Sequence, residues 1–215
     1  MPPAVVLFDL DGTLVEPIEG ITASLTAALG AVGAPVPDVA GVRALIGPPL
    51  PEGFASLGLG PADVDIALAA YRVHFEAEGL AQFSVHDGIP ELLADLRVAG
   101  RRLGVATSKP IGFAEAILAR AGLGRWFDAV SGASFEAGGR RHKDEVLAHA
   151  LELLGGPEPS TATLVGDRLH DVEGARACGI GCIAVRWGHA ADGELEAARP
   201  DAIVATAAEL RALLL

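Results

Sequence analysis

Short apolar runs separated by helical patterns set the rhythm of this chain. Four runs, at residues 4–8, 103–106, 162–165 and 182–185, are continuous and lack the alternation of a half-solvated strand. A continuous run of that length is what a strand covered on both faces looks like, and such strands belong to parallel sheets. Between the runs, the spacing i, i+3, i+4, i+7 recurs at Ile89, Leu92, Leu93 and Leu96, and again at Leu147, Ala150, Leu151 and Leu154. Each set predicts a helix laid on the sheet. The alternation as a whole predicts an α/β fold with a doubly wound parallel sheet.

The pattern changes between the first run and His86. An apolar stripe at Ile21, Leu25, Ala28 and Leu29 and a second helical stretch near 63–78 are present, with no convincing strand. A wholly helical stretch of roughly 70 residues is too long for the crossover of a βαβ unit of about 30 residues. The sequence therefore predicts a helical subdomain at 16–84 inserted into an α/β core made of 1–15 and 85–215. Ile46-Gly47-Pro48-Pro49-Leu50-Pro51 is expected as a rigid loop inside it.

Composition narrows the partners. A chain of 215 residues, 51% hydrophobic, can build one sizeable core. No apolar stretch reaches the roughly 18 residues of a membrane span, and the N-terminus lacks the basic start and apolar centre of a secretory signal. The expectation is a cytoplasmic protein without a membrane partner. Cys178 and Cys182 fit neither a redox nor a zinc spacing and read as small hydrophobes. A net charge of -12 argues against a nucleic-acid partner, which requires a basic face. A small anionic ligand would instead need local cations, and the chain has two lysines, Lys109 and Lys143.

Asp9-Leu10-Asp11-Gly12-Thr13-Leu14 follows the first run directly. Ligands of open α/β sheets bind beyond the carboxyl ends of strands. Residues i and i+2 of an extended chain point the same way, so one carboxylate can attack while the other exchanges protons with the same substrate. An ordinary Asp-Gly turn has the same local look. The second run ends in Thr107-Ser108-Lys109-Pro110, where hydroxyls and backbone N–H groups can hold phosphate oxygens, or cap a helix. Lys143 opens the helix of Leu147, either as a solvated lysine or as a cation beside an anion-binding N-terminus. The third run leads into Gly166-Asp167-Arg168-Leu169-His170-Asp171, where a capping role suits Asp171 better than Asp167. Asp9, Asp11 and Asp167 gathered at one sheet edge would repel unless a cation intervened. An all-oxygen ligand set with room for water and phosphate suits Mg²⁺.

In this order, the four segments resemble the haloacid dehalogenase superfamily, specifically the phosphoglycolate-phosphatase-like group with a helical cap after the first strand. The resemblance covers essentially the whole chain, and Gly47-Pro48-Pro49-Leu50 is similar to a cap segment of that group. It implies a Mg²⁺-dependent phosphatase that hydrolyses a small phosphomonoester (phosphoglycolate, a sugar phosphate or a nucleoside monophosphate) through an aspartyl-phosphate. Carried over, Asp9 is the nucleophile and Asp11 the general acid/base, while Gly12, Thr107, Ser108 and Lys143 bind phosphate. Mg²⁺ is held by the Asp9 carboxylate, the Asp11 backbone carbonyl and Asp167, with Asp171 in support. Relatives usually follow the third-motif lysine with proline, and here Asp144 follows, so Lys109 stays a second candidate for the phosphate-binding lysine. Arg43 is a candidate for touching the distal part of the substrate. His170 reads as a solvated loop histidine, and Trp126 and Trp187 as packing residues. A phosphomutase or other phosphotransferase would share every core motif, and a non-catalytic binding module would keep the same fold. The assembly expected is a monomer or homodimer.

Overall fold

A computed structural model describes residues 2–134 and 139–215. In chain order the elements are β1 (Val5–Phe8), β2 (Val15–Glu16), α1 (Ile18–Ala31), α2 (Val39–Ala44), α3 (Leu50–Ser56), α4 (Pro61–Ala77) and β3 (Ser84–Val85). There follow α5 (Ile89–Val98), β4 (Arg102–Pro110), α6 (Ile111–Arg120), β5 (Ala129–Ala133), α7 (Lys143–Leu153), β6 (Ala162–Gly166) and α8 (Leu169–Ala177). The chain closes with β7 (Gly181–Val185), α9 (Glu194–Ala198), β8 (Ala202–Val204) and α10 (Ala207–Leu214).

The main sheet runs β5-β4-β1-β6-β7-β8 with every neighbouring pair parallel. Alternation along β1 explains why it needs apolar residues throughout. Val6 and Phe8 join a cluster with Leu92, Leu93 and Leu96 of α5 and Ile117 of α6, while Val5 and Leu7 face Leu147 and Ala150 of α7 and Val172 and Ala175 of α8. After β1 the strand order grows first toward β5 and then, from β6, in the opposite direction. This reversal beside β1 opens the crevice in which α/β sheets bind ligands.

Two edge strands escape the apolar-run pattern. β5 reads Ala-Val-Ser-Gly-Ala and β8 is three residues long, so neither presents the run of large side chains that marks β1. The strand-free reading of the stretch before His86 is also corrected. Val15 pairs with Val85 and Glu16 with Ser84 in a two-residue antiparallel ladder, too short to show periodicity, through which the chain enters and leaves the helices. Leu50 and Pro51, expected in a loop, begin α3, because proline in a first turn sacrifices only an N–H that has no helical partner. His170 likewise lies in α8 and not in a loop.

Between β2 and β3, α1 packs on α4, α3 on α4 and α2 on α1. Ile21, Leu25, Ala28 and Leu29 of α1 and Val64, Ala67, Tyr71 and Phe75 of α4 are buried, and their cluster is continuous with that of β1 and α5. Among the described residues no helix is long and apolar enough to cross a membrane. Cys182 is buried and Cys178 half-buried, both as free thiols.

Phe8 is fully buried and meets the Phe127 ring edge-on at 6.2 Å. Phe8→Ala should cost about 3–5 kcal/mol in a denaturant titration. Val98→Ala, on a side chain 89% exposed, should stay within about 0.5 kcal/mol.

Candidate active site

The site grows from the turn that follows β1. Asp9 extends the ladder by donating its N–H to the Val165 carbonyl at 2.8 Å, which fixes its buried carboxylate at the strand end. Gly12, at φ +83°, reverses the chain, and its N–H donates to the Val15 carbonyl at 2.7 Å. Thr13 Oγ1 then donates to Asp167 Oδ1 at 3.1 Å, and the His189 N–H donates to Asp167 Oδ2 at 2.8 Å. Asp167 is wedged between two glycines: a Cβ on Gly12 or on Gly188 would stand 2.3 Å from its Oδ2. Trp187 holds the turn from behind, its Nε1 donating to the Thr13 carbonyl at 3.1 Å. Burial pushes the Glu16 carboxyl up, but the adjacent His189 and the N–H of Ile18 leave it below the usual range.

Lys143 occupies the centre. It opens α7, lies with its stem where a Cβ on Gly174 would meet its Cγ at 2.6 Å, and donates from Nζ to the Ala106 carbonyl at 3.0 Å. The same Nζ is 2.8 Å from Asp9 Oδ1 and 2.7 Å from Asp171 Oδ1. Burial disfavours the ammonium, yet Asp171 and Asp9 outweigh it and hold the pKa above the ordinary lysine range. Asp171 Oδ2 accepts the N–H groups of Asp167 and Arg168 at 3.1 and 3.0 Å, which starts α8 in the manner of a capping box. The capping role read from the sequence for Asp171 and its place beside the site are thus one arrangement.

Three buried carboxylates share this space with one ammonium. Burial, reinforced by the charges of Asp171 and Asp9, pushes the Asp167 carboxyl well above its usual value, and burial raises Asp171 despite Lys143. Asp9, Asp167 and Asp171 each offer an oxygen within 4.8 Å of the others. That charge imbalance in a dry pocket fits a divalent cation. Asp9, Asp167 and Asp171 are the described residues that could hold one.

The sequence left open which lysine serves the phosphate. The structure sets Lys143 beside Asp9 and gives Lys109 to Asp11, Nζ to Oδ2 at 2.6 Å. The start of α7, where Asp144 stands in place of proline, is anchored by Glu145, whose carboxylate accepts the N–H groups of Arg141 and His142. Thr107 is buried and its Oγ1 accepts the Lys109 N–H at 3.2 Å, while Ser108 is half-buried.

Most of these groups floor a cavity of about 580 Å³ whose roof comes from the helices between β2 and β3, chiefly Ile21, Leu50, Leu68, Tyr71 and Phe75, while Asp167 is fully buried behind that floor. Asp9, Asp11, Thr107, Ser108, Lys109, Lys143, His170 and Asp171 all line it. Arg43 does not: it is exposed on α2, and the arginines on the wall are Arg72, Arg141 and Arg168. Arg168 pairs with Glu194 at 2.8 Å and donates through Nη1 to the Ile46 carbonyl, linking the β6 end to the Gly47 loop. Trp126 lies on a short turn with Arg125 over its ring, and it is not part of the cavity wall. Sequence reasoning missed Thr13, Arg168, Gly188 and His189. The strand end at Val185, followed by Arg186-Trp187-Gly188-His189, lies at the same edge of the sheet as the other three but carries no carboxylate or hydroxyl to mark it.

A parallel sheet with helices inserted behind its first strand, and a carboxylate–lysine cluster at that strand's end, define an α/β core of the haloacid dehalogenase class. The chain belongs to the haloacid dehalogenase-like hydrolases, which residues 6–185 match. A tyrosine-protein kinase PtkA from Mycobacterium tuberculosis is 46% identical over 187 residues, 87% of this chain and 63% of that protein. The chain thus spans less than two thirds of the length of that relative. A 5'-nucleotidase from Pseudomonas aeruginosa is 41% identical over 210 residues, 97% of this chain and 94% of that protein. Among solved structures, a predicted phosphatase from Clostridium acetobutylicum superposes with a TM-score of 0.92 at 36% identity, covering 99% of this chain and 98% of its own.

Gly12→Ala tests the wedge around Asp167. The added methyl meets both a left-handed backbone and the carboxylate, so divalent-cation affinity by calorimetry should fall at least about tenfold, with at least about 1–2 kcal/mol lost in unfolding.

Proposed function

We propose that this protein is a Mg²⁺-dependent phosphatase that hydrolyses a small phosphomonoester through an aspartyl-phosphate on Asp9. The observation that carries this reading is the placement of Asp9, its Oδ1 against the Lys143 ammonium at 2.8 Å on the floor of the cavity, with Asp11 two residues on. Asp11 Oδ1 is buried and has no hydrogen-bond partner among the described residues.

Phosphate-monoester hydrolysis is among the slowest uncatalysed reactions, so the protein must make attack by one anion on another tolerable. Lys143, the Thr107 and Ser108 hydroxyls and the backbone N–H groups at the β4 end receive the phosphoryl oxygens. An Asp9 carboxylate oxygen attacks phosphorus as the bond to the leaving oxygen breaks, and Asp11 gives that oxygen its proton. Asp11 then takes a proton from the water that attacks the aspartyl-phosphate, releasing inorganic phosphate and restoring Asp9. Asp9, Asp167 and the Asp11 backbone carbonyl would hold Mg²⁺, which supplies neutralisation of the phosphoryl charge. Residues 16–84 serve as a cap over this core and exclude bulk water.

The roof argues for substrates larger than a two-carbon acid. Aliphatic and aromatic side chains dominate it, and about 580 Å³ exceeds what phosphoglycolate fills. A nucleoside monophosphate, whose flat base can lie against those side chains, suits this roof, which agrees with the likeness to a 5'-nucleotidase. The relative named a tyrosine-protein kinase favours a second reading, phosphoryl transfer to another hydroxyl. The two free cysteines suit a cytoplasmic setting.

Purified protein should release inorganic phosphate from 4-nitrophenyl phosphate with Mg²⁺, fall silent with chelator, recover with Mg²⁺ and respond poorly to Ca²⁺. Asp9→Asn should remain folded by circular dichroism and lose at least about a thousandfold in kcat. Near wild-type turnover by that variant, or full activity in excess chelator, contradicts the reading. Phosphate recovered on an added acceptor in place of free phosphate supports the transferase.

A further inference from the structure

The scheme above employs Lys143 and leaves Lys109, the other lysine of the chain, without a task. Lys109 is nevertheless built in. The ladder between β4 and β5 loses register here, advancing from Ala106 to Pro110 on β4 while β5 moves from Ser131 to Ala133. Such irregularities re-aim side chains near sites, and this one brings Thr107 and Lys109 to the same cavity. Gly132 permits it, since a Cβ there would stand 2.7 Å from the Lys109 carbonyl oxygen. The Lys109 side chain, 6% exposed, places Nζ 2.6 Å from Asp11 Oδ2 and 4.7 Å from the centroid of the Phe75 ring. Phe75 comes from α4, stacks on Tyr71 at 5.5 Å and meets Phe113 of α6 at 5.1 Å, so the ammonium rests on a fixed aromatic wall.

We propose that Lys109 is a positioning residue for proton transfer: it holds Asp11 Oδ2, so that the unpartnered Oδ1 faces the leaving group, and Phe75 of the helical insertion holds Lys109 in place. The inference rests on the reading of Asp11 as the acid and base. A carboxyl group must lie within about 3 Å of the oxygen it protonates, and a displacement of about 1 Å costs about a hundredfold. An aspartate with neither oxygen anchored has no such constraint. The fork of contacts also makes the placement of Asp11 depend on a residue from the insertion, since without Phe75 the lysine has room to turn away.

The test measures phosphoryl transfer to Asp9 in a single turnover with Mg²⁺, using 4-nitrophenyl phosphate, whose leaving group departs without a proton, and a simple alkyl phosphate, whose leaving group needs one. Lys109→Met keeps the apolar stem and removes the ammonium. It should slow transfer from the alkyl phosphate about a hundredfold and from 4-nitrophenyl phosphate less than about threefold, with KM for each within about threefold of wild type. Lys109→Arg should restore part of the loss, and Phe75→Leu should reproduce it in weaker form with the same dependence on leaving group. Equal slowing of both substrates, or a raised KM at unchanged rate, overturns the proposal and makes Lys109 a structural or phosphate-binding residue. Should Lys109→Met unfold, Phe75→Leu decides by the same criterion. Absence of any transfer to Asp9 in the wild-type protein removes the functional reading itself, a result visible without variants, and the inference falls with it.

Discussion

Burying three carboxylates around one ammonium is the constraint from which the rest of the site follows. Lys143 can be charged and dry only because Asp9 and Asp171 lie within 2.8 Å of its nitrogen, and those carboxylates can be dry only because it is there. Each of the three comes from a different strand or helix end, so the pairing also ties β1, α7 and α8 together at one edge of the sheet. The surplus negative charge, most evident in the raised carboxyl of Asp167, is what a divalent cation would relieve.

The glycines show how closely the backbone follows that demand. Gly12, Gly188 and Gly166 stand where a Cβ would fall 2.2–2.3 Å from a carboxylate atom of Asp167 or Asp171. Their common feature is proximity, since Gly188 and Gly166 do not share the positive φ of Gly12. The backbone approaches so closely because N–H groups, of His189 for Asp167 and of Arg168 for Asp171, satisfy the carboxylate oxygens there.

Much of this was legible in the sequence because buried parallel strands leave a dense apolar signature. β1, β4, β6 and β7 were readable, and with them the strand ends that carry Asp9, Thr107 and Asp167. β5 and β8 were not, since an edge strand with one covered flank tolerates Ser131 and Gly132 or shrinks to three residues. The β2–β3 ladder is shorter than any period a pattern can display. The pairing of Lys143 with Asp9 and of Lys109 with Asp11 was illegible for another reason. Both lysines sit near strand or helix ends that meet in space, and only the ladder irregularity before Pro110 and the seat on Gly174 determine which carboxylate each reaches. Arg43 is close to the Gly47 loop in sequence, but the short helix α2 turns it to solvent.

The two-residue ladder of β2 and β3 has a consequence for how such a protein can change. Because Val15 and Val85 are adjacent, the ends of the intervening chain are already brought together by the core, and the helices between them form a long loop whose closure is borne at its base. Closure entropy grows only logarithmically with loop length, about 0.6 kcal/mol for each doubling. Insertions or deletions in the turns between those helices therefore add little closure cost, whereas the buried faces of α1 and α4, which share the cluster of β1 and α5, are bound to the core. The freedom ends at Phe75, whose ring seats the Lys109 ammonium beside Asp11.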